Sequence, residues 1–269
     1  MPARIAPDAT RGMIIAGGEL DAGERGNSLL GRLLSRCGEQ GRVLVLQLAT
    51  DGDDLIDLET RLLMAGANEA RVHTLATRGE ASDAVLVDRL EHTDLLVIAP
   101  CSPLRLTSLI GGTALVRALR RRNADGMAVA AFGAVAAALS EHMLATGSEG
   151  LTPRSGGVSL APGLGLSNRV LIDQGGQATD RLGRLLAALA LNPFALGLGI
   201  DPGTAAVIGP DNVLEVLGYG GVTVIDPAEM ADSNVAEIGD GAPIRITNLR
   251  LHALNGGTRF DLDFRTTLP

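Results

Sequence analysis

Five apolar runs of four to eight residues recur along the first 150 positions, and leucines at helical spacing fill the stretches between them. The runs cover residues 13–16, 42–49, 71–75, 94–99 and 127–132. The second, Arg42-Val43-Leu44-Val45-Leu46-Gln47-Leu48-Ala49, has a continuous apolar core, as a strand buried on both faces of a parallel sheet requires. The intervening stretches read as helices over 27–36, 55–65, 82–90 and 104–121, the first with Leu29, Leu30, Leu33 and Leu34 on one stripe. Strand and helix in strict alternation imply a parallel sheet covered by helices on both faces. The expected fold is therefore α/β, a three-layer sandwich around a mostly parallel central sheet.

Residues 126–139, Gly-Met-Ala-Val-Ala-Ala-Phe-Gly-Ala-Val-Ala-Ala-Ala-Leu, add a more specific element. They read as a buried strand, a tight turn at Gly133 and a small-residue helix over about 134–145. On this strand–turn–helix frame α/β hydrolytic enzymes mount a nucleophile. The apex here carries neither a hydroxyl nor a thiol. Beyond Gly147 glycine and proline punctuate residues 155–168, followed by a strand at 169–173 and a helix at 179–190. Short strands over 196–200, 204–208, 213–217, 222–225 and 244–254, separated by turn residues, suggest a strand-rich, antiparallel extension of the same sheet. No linker or internal repeat divides the chain. A single domain over 1–269 is expected, with a flexible N-terminus over 1–10.

Composition narrows the function classes. One Tyr, four Phe and no Trp leave the core to aliphatic residues. All 23 basic residues are arginine, against 31 acidic ones, for a formal charge of −8. Acidic balance with scattered arginine excludes a non-specific nucleic-acid binder. The one basic cluster, Arg120-Arg121-Arg122, suits a solvated helix C-terminus. Cys37 and Cys101 have no metal-type spacing, which points to a reducing, cytoplasmic location. The proline-broken N-terminus is neither a signal peptide nor a membrane span. No metal, cofactor, nucleic acid or membrane partner is expected.

Several strings, in order along nearly the whole chain, resemble the cyanophycinases, serine hydrolases of the dipeptidase E family with the class I glutamine-amidotransferase-like fold. They are Ile15-Ala16-Gly17-Gly18, Ile172-Asp173-Gln174, Arg181-Leu182-Gly183-Arg184-Leu185, Gly197-Leu198-Gly199-Ile200-Asp201 with Thr204-Ala205, and Asn248-Leu249-Arg250-Leu251-His252-Ala253-Leu254 through Arg259-Phe260-Asp261-Leu262. The resemblance implies a three-layer α/β sandwich, usually a homodimer. In active members it implies cleavage of cyanophycin, a poly-aspartate backbone bearing arginine on each β-carboxyl, into β-Asp-Arg dipeptides. The chemistry it implies uses an elbow serine and a histidine base.

The departures fall where that chemistry would lie. The family's Gly-Thr-Ser-Ala-Gly-Ala matches Ala131-Phe132-Gly133-Ala134-Val135-Ala136, which puts Gly133 at the nucleophile position. The family's Asp-Gln-His-Phe matches Asp173-Gln174-Gly175-Gly176, which puts Gly175 at the base position. Its Thr-Gly-Gly-Asp-Gln turn becomes Ala99-Pro100-Cys101-Ser102-Pro103, its strand-end glutamate becomes Pro202, and the first arginine of its Arg-rich helix becomes Thr179. Glycine offers no atom to carry an acyl group. His73, His92, His142 and His252 read as surface or capping residues rather than a replacement base.

Three readings follow. The first, towards which the sequence leans, is a chain without enzymatic activity, a structural or regulatory subunit forming a homodimer or a heteromer with a related hydrolase-fold chain. The second is a hydrolase of β-Asp-Arg-type peptides with another nucleophile: Cys101, beside Arg105, or more remotely Ser102 or Ser140. The third is a binding module in which Asp173, Gln174, Arg181 and Arg184 hold an arginine- or aspartate-containing ligand. Against it stands a bland alternative, that Arg181 and Arg184 make structural salt bridges.

Overall fold

Strand β2 (Arg42–Leu48) shows why the sheet lies where it does. Val43 and Val45 point into one buried cluster and Leu44, Leu46 and Leu48 into another, so both faces of the strand are dry. The computed structural model describes residues 10–20, 24–37, 41–49, 57–174 and 181–269. With β1 (Ile14–Gly17), β3 (Glu69–Leu75), β4 (Leu95–Ile98) and β5 (Ala128–Phe132), β2 forms a parallel sheet in the order β1-β5-β4-β2-β3. Helices α1 (Glu24–Leu34) and α2 (Leu58–Met64) cover one face, and the leucine stripe Leu29, Leu30, Leu33 and Leu34 is buried as its spacing predicts. Helices α3 (Ala84–Glu91), α4 (Pro103–Ile110) and α5 (Ala114–Ala124) cover the other.

The single helix expected over 104–121 is two. Gly111 and Gly112 break it, and the Arg78 guanidinium takes up the freed carbonyls, donating to Ser108 O at 2.8 Å and Gly111 O at 2.6 Å. The arginine cluster at the end of α5 is engaged rather than merely solvated. Arg120 donates to Leu164 O, Arg121 pairs with Glu91, and Arg122 donates to Thr93 O.

The helix expected over 134–145 is instead a 3₁₀ helix, Gly133–Leu139, followed by strand β6 (His142–Gly147). An α-helix here would keep the carbonyls of Ala138, Leu139 and Ser140 for its own next turn. Leu164 N, Leu166 N and Gly165 N claim them instead. Val135 through Leu139 are all buried, so tertiary packing overrides the helix preference of the alanines. Strand β7 (Val158–Pro162) completes a hairpin with β6.

The C-terminal strands divide between two sheets, which corrects the expectation of one extended sheet. β8 (Val170–Gln174) and, after α6 (Leu182–Leu191), β9 (Leu196–Ile200) run parallel. With β12 (Gly221–Asp226) and β15 (Arg250–Asn255) they make a separate four-stranded sheet, between the α3–α5 side of the main sheet and α6. β10 (Thr204–Ile208), β11 (Val213–Gly218), β16 (Arg259–Asp261) and β17 (Thr266–Leu268) extend the main sheet antiparallel beyond β1. The chain crosses between these two sheets at β9–β10, β11–β12 and β15–β16, and the first two crossings touch. A Cβ on Gly218 would sit 2.3 Å from Gly203 O, so only glycine fits there. The two-residue strands β13 (Asp232–Ser233) and β14 (Ile246–Thr247) pair with each other. The strand expected over 244–254 is interrupted at Asn248, whose φ of 62° bends the chain between β14 and β15. Among the described residues no helix is long and apolar enough to cross a membrane.

Candidate active site

Three parallel strands end together where the elbow forms. Gly17 at the end of β1 pairs with Phe132 at the end of β5, and Ile98 at the end of β4 pairs with Ala131. The carboxyl ends of parallel strands are where α/β sheets place ligands, because the chain reverses there and leaves a crevice. Gly133 opens the 3₁₀ helix with a φ of 75°, the left-handed conformation of a tight elbow. A Cβ built on it would meet nothing nearer than Pro100 Cβ, at 3.8 Å. The apex is buried but has room for a small side chain, and it carries no reactive atom of its own.

The Pro100–Pro103 turn is more regular than its composition suggests. Ser102 is the N-cap of α4, its Oγ accepting from Arg105 N at 3.4 Å, and Pro103 occupies the first helical turn, where a missing N–H is harmless. That employs the Ser102 hydroxyl structurally. Cys101, one residue earlier, is partly buried against the core; burial pushes its thiol up to about 12, opposed by the Arg105 charge. At neutral pH it is a thiol rather than a thiolate. The guanidinium of Arg105 donates to Ala49 O at the end of β2. Ser140 is fully buried behind the 3₁₀ helix, and its Oγ has no partner among the described residues.

No histidine stands on β1, β4, β5 or the turns that follow them. His73 lies within β3, and His92 caps α3 with Nδ1 2.9 Å from Asp88 O. His142 is exposed at the start of β6. His252 lies on β15 against the Phe260 ring, centroids 5.0 Å apart. Gly175, Gly176 and Thr179 lie outside the described residues.

Between the second sheet and α6 is a cavity of about 210 Å³ lined by Asp173, Arg181 and Asp201, with Gly199 and Thr223 between them; no residue of the elbow lines it. Its other walls are aliphatic: Leu151, Leu182, Leu185, Ile200 and Leu251. Its Asp201 end reaches the turn after β1. A Cβ on Gly18, the residue after β1, would lie 2.1 Å from Asp201 O, and β1 is the neighbour of β5.

The structure separates the expected ligand residues. Asp173 and Arg184 form a bidentate pair, Arg184 Nε donating to Oδ2 at 2.6 Å and Nη2 to Oδ1. The Asp173 side chain is 6% exposed, and the pair joins β8 to α6. Arg181 lies at the N-terminal end of α6 and lines the cavity. Gln174 ends β8, in register with Ile200. Pro202 sits in the β9–β10 crossing. Asp201 was missed as a site residue; its signal was an acid at a strand end, followed by the turn string Pro202-Gly203. Among the described residues no group of three or more His, Cys, Asp or Glu side chains is placed to hold a metal ion.

No family model matches the chain. Curated relatives do. A cyanophycinase of Nostoc sp. is 37% identical over 205 residues, 76% of this chain and 69% of the relative. A cyanophycinase of Synechococcus elongatus is 32% identical over 256 residues, 94% of this chain and 80% of the relative. A cyanophycinase of Geminocystis herdmanii is 34% identical over 73% of this chain and 72% of its own. Among solved structures, a peptidase from an acI-B1 Actinobacterium aligns with a TM-score of 0.58, covering 91% of this chain and 97% of its own at 18% identity, which supports the fold. These relatives overturn the expectation of a chain without enzymatic activity: proteins named for a hydrolase, similar over most of their length, point to a hydrolase. That expectation gave too much weight to a few positions against the agreement of the rest. The elbow, the sheet order and the curated relatives lead to one assignment: the chain belongs to the cyanophycinase family.

Proposed function

We propose that this protein is a hydrolase that cleaves an arginine- and aspartate-containing peptide of the cyanophycin type, bound in the Asp173–Arg181–Asp201 cavity. The observation that carries the reading is the likeness to named cyanophycinases over up to 94% of the chain, a span that takes in both elbow and cavity. The cavity supports it, since a charged lining with aliphatic walls suits a peptide that has ionic groups on short alkyl stems.

Gly133 holds no nucleophilic atom, so attack on the scissile carbonyl comes from elsewhere. The candidates are the Cys101 sulfur, which must first lose a proton that burial holds on it, and a water molecule. Purified protein is expected to release β-Asp-Arg or a related dipeptide from cyanophycin, read by chromatography against a buffer blank. Loss of release in Cys101→Ala assigns the sulfur as nucleophile, and retained release assigns water. No release by the wild-type protein above the blank overturns the hydrolase reading.

A further inference from the structure

Seven residues of 3₁₀ helix, Gly133–Leu139, run from the elbow apex, and four of them are alanine. Runs of this helix beyond three or four residues are uncommon, and alanine favours the α form, so something outside the stretch holds it. The segment Leu164–Ser167 does so. Its successive N–H groups donate to Ala138 O, Ser140 O and, twice, Leu139 O at 2.6–3.3 Å. The approach is close enough that a Cβ on Gly163, just before it, would lie 2.1 Å from Ser140 O. The segment's own carbonyls are held in turn. Arg120 Nε, on α5, donates to Leu164 O at 2.5 Å, and Arg11 Nη2, ahead of β1, donates to Leu166 O. Neither guanidinium joins an ion pair among the described residues, whereas Arg121 and Arg122, next along α5, both pair with Glu91.

We infer that Arg11 and Arg120 are positioning residues for the elbow: through Leu164 and Leu166 they clamp the stretch from Gly133 to Leu139 in its 3₁₀ form. The form matters because it sets length. A 3₁₀ helix rises about 2.0 Å per residue and an α-helix about 1.5 Å. Over the seven residues the two differ by about 3.5 Å. A misplacement of about 1 Å can cost about a hundredfold in rate, so a stretch relaxed to the α form would carry the apex well out of place beside the strand ends. The clamp stands on the fold alone; its effect on turnover rests on the hydrolase reading proposed above.

The test uses the full chain with Arg11→Met and Arg120→Met, each of which keeps an unbranched stem and removes the donors. Amide hydrogen exchange, followed by mass spectrometry, is expected to run at least about tenfold faster than in the wild type over 134–140 and 163–167, the size of one charge-assisted hydrogen bond, and at the wild-type rate over β2. Either variant alone tests the clamp should the other fold poorly. In Arg120→Ala, millimolar guanidinium chloride is expected to restore slow exchange where sodium chloride does not; absence of that rescue assigns the loss to packing and overturns the role of the guanidinium. On cyanophycin, each methionine variant is expected to lower kcat by about tenfold or more and to leave KM within about twofold. Wild-type exchange over 134–140 in both methionine variants overturns the clamp, and faster exchange with unchanged kcat overturns the positioning role. Exchange needs no turnover. A wild-type protein that releases no dipeptide therefore sinks only the hydrolase reading, and the exchange result still decides the clamp.

Discussion

Arg184 shows what a single residue can and cannot disclose. In the sequence it belongs to a string resembling an arginine-rich, substrate-facing helix; in the fold its guanidinium is committed to Asp173, and its stem runs against Gly147, where an added Cβ would lie 2.8 Å from Arg184 Cδ. Removing one member of a buried pair leaves the other charged and unsolvated. Arg184→Met should therefore cost about 3–5 kcal/mol, read from the shift of the urea midpoint. Asp173→Asn combined with Arg184→Met should recover much of that loss, because no charge is then stranded. Equal instability in the single and double variants would assign the cost to packing rather than charge. Asp173 and Arg184 were thus legible as important but not as partners of each other. Pairing across ten intervening positions depends on where β8 and α6 meet, and no local pattern encodes that.

At the scale of elements, the elbow is the part most easily read and most easily over-read. The strand Ala128–Phe132 and the turn at Gly133 follow directly from an apolar run ending in glycine. The segment after it does not, because its carbonyls are claimed by residues 164–166, which no local window contains. The same cause hid the second sheet. β9 and β10 are each well-formed strands in sequence, but only the contact of the two crossings, Gly203 against Gly218, decides that they enter different sheets. The elbow itself yields a direct expectation. Gly133→Ser has space, with its nearest neighbour at 3.8 Å, but places a side chain at a φ of 75°. The cost should be about 1–2 kcal/mol, and the variant should fold with a modestly lowered Tm in a thermal melt. Gly133→Val, β-branched at the same φ, should lose several degrees more. A serine variant as unstable as the valine variant would show that the apex has no room for a side chain.

For the whole molecule, the titrating groups set the pH range in which this fold is stable, and they act at both ends. On the acid side, burial and then the Arg89 charge hold His73 below its ordinary 6.5. Arg42 holds Asp94 below 3.8 by hydrogen bonding, backbone and side-chain hydrogen bonds lower Glu80 from 4.5, and the cap to Thr60 lowers Asp57. Each of these groups binds protons more weakly folded than unfolded. Their contribution is complete above the unfolded values and is lost as pH falls through the lowered ones. Stability should begin to decline below about 6.5 as His73 takes up a proton against its surroundings, and fall more steeply below about 4.5 as the carboxylates follow. On the alkaline side the sign reverses. Burial pushes Cys37 and Cys101 from 9.0 up to about 12, so the folded protein resists ionising them while the unfolded chain does not. Their contribution is full below 9.0 and is lost as pH climbs from there towards 12. Urea midpoints measured from pH 3 to pH 11 under reducing conditions should thus trace a plateau between about 6.5 and 9, with the alkaline fall softened in the double variant Cys37→Ala, Cys101→Ala. The same burial predicts slow alkylation: iodoacetamide at pH 7.5 should label the folded protein far more slowly than it labels the urea-unfolded chain. Rapid labelling of Cys101 in the folded state, with an alkaline limb unchanged by its removal, would mean that its thiol ionises near neutrality and would restore it as a ready nucleophile beside the elbow.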